Sequence, residues 1–179
     1  MRKSFTLIEL IVVIGIIAIL SGLGASAYNG FQQSARDTRR KNDLKTITSA
    51  LNAYYANNGR FPPPSSACTS GCCHVKSTAG SDWIAALVPD YIEELPVDPI
   101  NKPTSDNQPW LNSNYGYTYG NLSTDGQTYD LTTRLENAQD PDRSAVKDYI
   151  AGTGCGFTWH WNTIFSGEGT QVYELSPGS

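Results

Sequence analysis

Residues Phe5 to Ala27 form an apolar run of 23 residues whose single charge is Glu9. A helix of about 20 residues, rising 1.5 Å per residue, covers the roughly 30 Å hydrocarbon core of a bilayer, so this run predicts a membrane-spanning helix. Thirteen of the 23 are Leu, Ile, Val or Phe. At roughly −0.3 to −0.6 kcal/mol each they outweigh the roughly +3 kcal/mol that a carboxylate costs in the span. Insertion therefore tolerates Glu9 without explaining it, and an ionisable residue in such a span calls for a partner.

The preceding residues supply one. Met1-Arg2-Lys3-Ser4 is a short basic leader, and cleavage between Ser4 and Phe5 would leave a new α-amine one helical turn before Glu9. That amine has the right sign and the i, i+4 spacing to meet the carboxylate, in the same chain or in a neighbouring copy. On these residues the N-terminus resembles the class III signal of type IV pilins and type II secretion pseudopilins, in which a basic leader precedes a hydrophobic helix with glutamate at the fifth mature position. Phe5 and Glu9 match that pattern; the family usually has glycine where this chain has Ser4.

The resemblance implies a biogenesis. Prepilin peptidase cuts between Ser4 and Phe5, Phe5 is N-methylated, and a single-pass precursor waits in the inner (cytoplasmic) membrane. An assembly platform and motor ATPase then draw copies into a homo-oligomeric helical filament, extracellular or periplasmic, with Glu9 aligning each incoming subunit. A competing local reading is a secretory signal peptide with Ala25-Ser26-Ala27 as its cleavage site. Glu9 inside the apolar region and a helical pattern that continues past Ala27 weigh against it.

That pattern is periodic. Tyr28, Phe31 and Ala35, then Leu44, Ile47, Leu51 and Tyr54/Tyr55, recur at three- and four-residue steps and define one apolar face. Asn57-Asn58-Gly59 suits a left-handed cap, and Phe61-Pro62-Pro63-Pro64 cannot continue a helix. The spacing predicts one helix from Phe5 to Asn58, roughly 80 Å long. Residues 5–27 form its membrane or filament-core half and 28–59 its amphipathic half, between the leader at 1–4 and a head at 60–179. Gly15, Gly22 and Gly24 cost roughly 1 kcal/mol each relative to Ala; they suit close helix packing, and the resemblance adds local unwinding in the filament.

Charge divides along the chain, with net +4 in residues 1–45 and net −8 in residues 46–179. An acidic head argues against nucleic-acid binding, which needs Lys and Arg at phosphates. Arg36, Arg39, Arg40, Lys41 and Lys45 read either as a stalk surface that meets acidic heads of other copies or as a solvated face. They outnumber Arg2 and Lys3, so counting flanking positive charges would put the N-terminus outside, whereas the resemblance requires a cytoplasmic leader.

The remainder reads as a small α+β head, a type IV pilin fold in which the long helix packs against an antiparallel sheet. Ser81 to Leu87 predicts a short capped helix with Trp83, Ile84 and Leu87 on one face. Leu87-Val88-Pro89-Asp90-Tyr91-Ile92-Glu93-Glu94-Leu95-Pro96-Val97-Asp98-Pro99 resembles the L-V-P-x-Y-I-x-x-L-P-x-D-P stretch of the major pseudopilin. Tyr91, Ile92 and Leu95 are expected to dock on the helix. Tyr115, Tyr117 and Tyr119 alternate, as do Tyr129, Leu131 and Thr133, predicting a hairpin across Asp125-Gly126. Further strands are expected at 156–160 and 170–175, with the tyrosines half-buried in the sheet.

Cys68, Cys72, Cys73 and Cys155 are an even set in a segment expected to be exported, which reads as two disulfides of about 2 to 4 kcal/mol each. Adjacent Cys72 and Cys73 are poorly placed to bridge each other, so one bridge should join Cys155 to the cluster. The alternative, zinc held by the cluster and His74, lacks a C-x-x-C pair. Asn121, Ser123 and Asp125 with Gly126 imitate the start of a calcium loop, but position 12 is Thr132 rather than a bidentate acid, so calcium is a weak candidate beside a plain turn. No catalytic set or cofactor motif emerges around His74 and His160. Two readings remain: a filament subunit of major pilin or pseudopilin type, and a tethered or secreted binding module or enzyme. Neither surface pilus nor secretion pseudopilus is favoured.

Overall fold

Helix α1, Leu7–Asn58, runs unbroken for 52 residues through Gly15, Gly22 and Gly24. The computed structural model describes residues 6–64, 73–80, 82–102, 115–121, 125–144 and 172–177, with the backbone alone at 23–27, 73–74 and 144. Both ends of α1 follow from local chemistry. Thr6, in extended backbone, accepts the Glu9 N–H on its hydroxyl while the Glu9 carboxylate accepts the Thr6 N–H at 2.8 Å, a capping box. At the other end Gly59 takes φ 69° and ψ 8°, and its N–H reaches the Tyr55 carbonyl at 2.8 Å. A left-handed residue there stops the helix at little cost only when it lacks a Cβ.

Around α1 the environment changes abruptly. From Leu7 to Leu20 the large apolar side chains are 50–76% exposed, and Tyr28 and Phe31 are 62% and 74% exposed. Beyond Ser34 one face turns inward, and Leu44, Ile47 and Leu51 are completely buried. No helix among the described residues is long and apolar enough to cross a membrane; the side chains at 23–27, which complete the apolar run, lie outside them.

Four antiparallel strands, β1 (Cys73–Lys76), β2 (Thr118–Asn121), β3 (Tyr129–Arg134) and β4 (Val172–Leu175), are ordered β1-β2-β3-β4. The α+β architecture is thus the expected one. Tyr119 pairs with Leu131 and Leu131 with Leu175, so the alternating face carrying Tyr119, Tyr129, Leu131 and Tyr173 shares one core with α1. The polar residues of the opposite face, among them Thr118, Thr132 and Glu174, are withheld from solvent as well. Tyr117, Tyr119 and Tyr129 are completely buried rather than half-buried; for Tyr117 and Tyr119 this is possible because their hydroxyls find the Asp43 carboxylate at 2.6 Å and the Pro62 carbonyl at 2.7 Å. β2 starts at Thr118, and Tyr115 lies ahead of it.

The β2–β3 turn needs Gly126 at φ +70°, where an added Cβ would sit 3.0 Å from the Arg60 Cβ. Its carbonyl accepts the Phe61 N–H at 2.7 Å and ties the turn to the chain leaving α1. Strand β1 had no sequence expectation, and the expected strand at 156–160 lies outside the described residues.

Between β1 and β2 the docking segment differs in one respect. Ser81 lies outside the described residues, and Asp82 to Leu87 do not make the expected capped helix: Ala85–Leu87 form a single 3₁₀ turn, without a side-chain cap. The stretch before Val88-Pro89 is too short to nucleate an α-helix, and burial of three side chains fixes it instead. Trp83, Ile84 and Leu87 do face inward together, with Leu95. Tyr91 and Ile92 are half-buried against the same core; the Tyr91 ring lies 5.2 Å from Tyr54 and its hydroxyl accepts from Asn58 Nδ2 at 3.1 Å.

Candidate assembly site

The exposed half of α1 begins at Glu9. Its Oε2 accepts from the Thr6 backbone N–H at 2.8 Å and from Thr6 Oγ1 at 2.7 Å, which holds the carboxylate at the N-terminal end of the helix. Ser4 and Phe5, the expected processing positions, lie outside the described residues. Below Glu9 the helix is apolar on every side as far as Leu20, and a helix of that kind is found inside a protein core, a bundle or a bilayer.

Where α1 meets the head, the packing is ionic. The Arg40 guanidinium is completely buried. Its Nε and Nη2 donate to the two oxygens of Asp98 at 2.6 and 3.1 Å, and its Nη1 donates to Asp37 Oδ1 at 2.7 Å and Glu136 Oε1 at 2.6 Å. The Tyr115 ring lies 4.8 Å from the guanidinium carbon. Arg36 forks onto the same Glu136 at 2.7 and 2.6 Å. Asp37 also accepts the backbone N–H groups of Glu136 at 3.0 Å and Asn137 at 2.7 Å, and Asp98 those of Ile100 at 2.8 Å and Asn101 at 3.2 Å. One stretch of α1 and two head loops therefore grip one another. The next residue, Lys41, reaches Asp140 at 2.6 Å and Asp142 at 2.7 Å with its Nζ.

The electrostatics agree with the geometry. Burial works against the Arg40 charge, but the bonds to Asp98, Glu136 and Asp37 outweigh it and hold its pKa above the ordinary guanidinium value. Burial would raise Glu136, yet Arg36 and Arg40 pull it below the ordinary glutamate range. Burial and the Asp43 carboxylate together push the Tyr117 hydroxyl far up.

Two expectations about the basic stretch are thereby replaced. Arg36, Arg40 and Lys41 are neither a surface for other subunits nor a solvated face, because acids of the same chain hold them. Only Arg39, with its side chain 63% exposed, and Lys45 remain outward. The sequence reading missed Asp37, Arg40, Asp98 and Glu136 as a set. The signal available was the alternation of acids and bases from Arg36 to Asp43, facing an acidic head.

The other candidates are less connected. Cys68, Cys72 and Cys155 lie outside the described residues; Cys73 opens β1 opposite Asn121, and His74 stands opposite Gly120. In the calcium-loop candidate Ser123 lies outside the described residues. Asn121 is buried and donates to the carbonyls of Phe61 and Pro62, both at 3.4 Å, and Asp125 Oδ1 accepts the Gln127 N–H at 3.1 Å. Among the described residues no group of His, Cys, Asp and Glu is arranged to hold a metal ion.

Residues 1–25 match the family model of the prokaryotic N-terminal methylation motif. The chain is 32% identical over 103 residues to the type II secretion system core protein G of Pseudomonas aeruginosa, an alignment covering 57% of this chain and 70% of that one. The chain belongs to the type IV pilin and type II secretion pseudopilin family. It is also similar to the core protein G of Aeromonas hydrophila, 29% identical over 102 residues, covering 57% and 70% of the two chains. With the type IV major pilin PilE1 of Neisseria gonorrhoeae it shares 36% identity over 62 residues, 35% of this chain and 38% of that one. No solved structure matches it. This pilin-like chain is a structural subunit rather than an enzyme, and the helix-plus-sheet head is the fold of its family.

Proposed function

We propose that this pilin-like chain is a filament subunit of major pilin or major-type pseudopilin kind. The observation that carries this is the contrast along α1: large apolar side chains 50–76% exposed from Leu7 to Leu20, on every side of the helix below Glu9, joined without a break to a folded head. Such a helix needs a cover. A bilayer supplies it to the single-pass precursor in the inner membrane, and neighbouring copies supply it in an extracellular or periplasmic helical filament. Cleavage by prepilin peptidase between Ser4 and Phe5, N-methylation of Phe5, and extraction by an assembly platform and motor ATPase connect the two states. In the filament Glu9 meets the Phe5 amine of a neighbour, which removes an uncompensated charge from an apolar core. Cys68, Cys72, Cys73 and Cys155 form two disulfides in the exported head.

The test is the N-terminal mass of protein sheared from cells and purified as filaments. A chain beginning at methylated Phe5 supports the reading. A chain beginning at Tyr28, or one retaining Met1 in membranes with no filaments, overturns it and leaves a secreted or tethered module.

A further inference from the structure

We infer that the Arg40 clamp is a register device: it fixes at which turn of α1 the head sits, and so positions the head for assembly. This rests on the filament reading above. The apolar contacts between helix and head do not define that turn by themselves. The inward face of α1 repeats apolar residues at three- and four-residue steps, Leu44, Ile47, Leu51 and half-buried Tyr54. A slide of one turn, about 5.4 Å, would put Ile47 in the place of Leu44 and Leu51 in that of Ile47, apolar for apolar, at modest cost.

The charged residues oppose that slide. One turn one way, Leu44 would face Asp98 in place of Arg40; one turn the other way, Arg36 would stand where Arg40 does, but Gln32 and Gln33 would stand where Arg36 and Asp37 do, so Glu136 would lose one of its two guanidinium partners. Asp37 would in turn release the Glu136 and Asn137 amides. Breaking buried pairs costs far more than the pairs contribute over an apolar replacement, so their effect is on which arrangement forms rather than on stability. A single buried polar residue sets register in coiled coils in the same manner.

Two head loops more than 30 residues apart in sequence, 98–101 and 135–137, converge on this one turn, and the exposed spine begins immediately above it. In a helical assembly every head must hang at the same height on its spine, or head contacts cannot repeat. Arg40 is thus a positioning residue for polymerisation, acting through Asp98, Asp37 and Glu136.

The charge-balanced variant R40M/D98N, made in the full chain and expressed with its own assembly machinery, tests this. The side-chain carbonyl that D98N leaves in place can still accept the Ile100 and Asn101 amides, and Arg36 still neutralises Glu136. Two readouts are taken: amide hydrogen exchange of the detergent-solubilised subunit, and the helical rise of sheared filaments by electron cryo-microscopy. The expected result is that β2 and β3 amides stay protected while the Glu136 and Asn137 amides, which bond the untouched Asp37, exchange at least about tenfold faster. Filaments then lose their single helical rise or fail to form.

Parental protection at Glu136 and Asn137 with a single parental rise overturns the inference. Loss of protection in β2 and β3 together with the clamp also overturns it, because the clamp is then ordinary fold stability. If the parental chain forms no filaments, the polymerisation reading falls, and the exchange measurement, which needs no filament, separates that failure from failure of the register.

Discussion

Arg40 and Asp98 meet through two hydrogen bonds, Nε to Oδ2 at 2.6 Å and Nη2 to Oδ1 at 3.1 Å, with both side chains completely sealed from solvent. Removing one member strands the other in a low-dielectric site. Arg40→Met alone is therefore expected to destabilise the chain by about 3 to 5 kcal/mol, whereas a buried pair replaced as a whole costs far less. Arg39→Met is the control: that side chain is 63% exposed and 3.6 Å from Asp43. It should shift stability by less than about 0.5 kcal/mol. Urea unfolding of the detergent-solubilised chain, followed by tryptophan fluorescence, checks both; equal midpoints for the two variants would refute the burial argument.

Glu136 gives the clamp an acid limit. Its folded pKa lies below the ordinary 4.5, with Arg36 and Arg40 overcoming the opposing effect of burial. The unfolded chain consequently binds this proton more readily, and stability present above 4.5 is lost as pH falls through the lower folded value. Asp140, lowered from 3.8 by Lys41 and the Asp142 amide against burial, adds to the same slope. Unfolding midpoints should be flat between about pH 5 and 8 and fall below about pH 4, and Glu136→Gln should flatten that fall. An unchanged acid slope in Glu136→Gln would show that other carboxylates govern it.

Much of this architecture is written locally. Gly59 ends α1 because a left-handed cap belongs where asparagines and a glycine precede a proline run, and the tyrosine alternation in β2 and β3 has the period of a strand. Glu9 stood out because it is the single charge of an apolar span. The clamp was not legible, since Arg40 lies 58 residues from Asp98 and 96 from Glu136. No periodicity couples such distances, and a cation on a helix reads as solvated until the head is placed over it. The Ser81–Leu87 helix failed for the opposite reason: local cap chemistry was present, but burial of Trp83 and Leu87 chose a tighter turn.

Gly126 supplies a test of the turn that joins the sheet to the end of α1. Its φ of +70° is strained for any L side chain, and a Cβ would press on the Arg60 Cβ at 3.0 Å. Gly126→Val should cost roughly 1 to 3 kcal/mol and weaken the Phe61 N–H bond to the residue 126 carbonyl. Thermal unfolding measures the loss, and faster exchange of the Phe61 amide locates it. Gly15→Ala is the contrast: nothing lies within 4 Å of an added Cβ in the subunit, and Ala favours a helix by roughly 1 kcal/mol. A stability loss there would mean that the spine is covered already in the isolated subunit.

Glu9 combines two jobs that substitution can separate. As the third residue of the helix it completes the capping box with Thr6, a task that glutamine performs equally well. As a charge in an apolar spine it needs a cation, a task that glutamine cannot perform. Glu9→Gln should leave membrane insertion, subunit level and head unfolding unchanged while abolishing sheared filaments. Glu9→Ala should do the same and also loosen the first helical turn, visible as faster exchange of the amides at residues 9 and 10. If Glu9→Gln assembles as the parental chain does while Glu9→Ala does not, helix capping rather than charge is what assembly requires, and the amine of a neighbouring Phe5 is not the partner of Glu9.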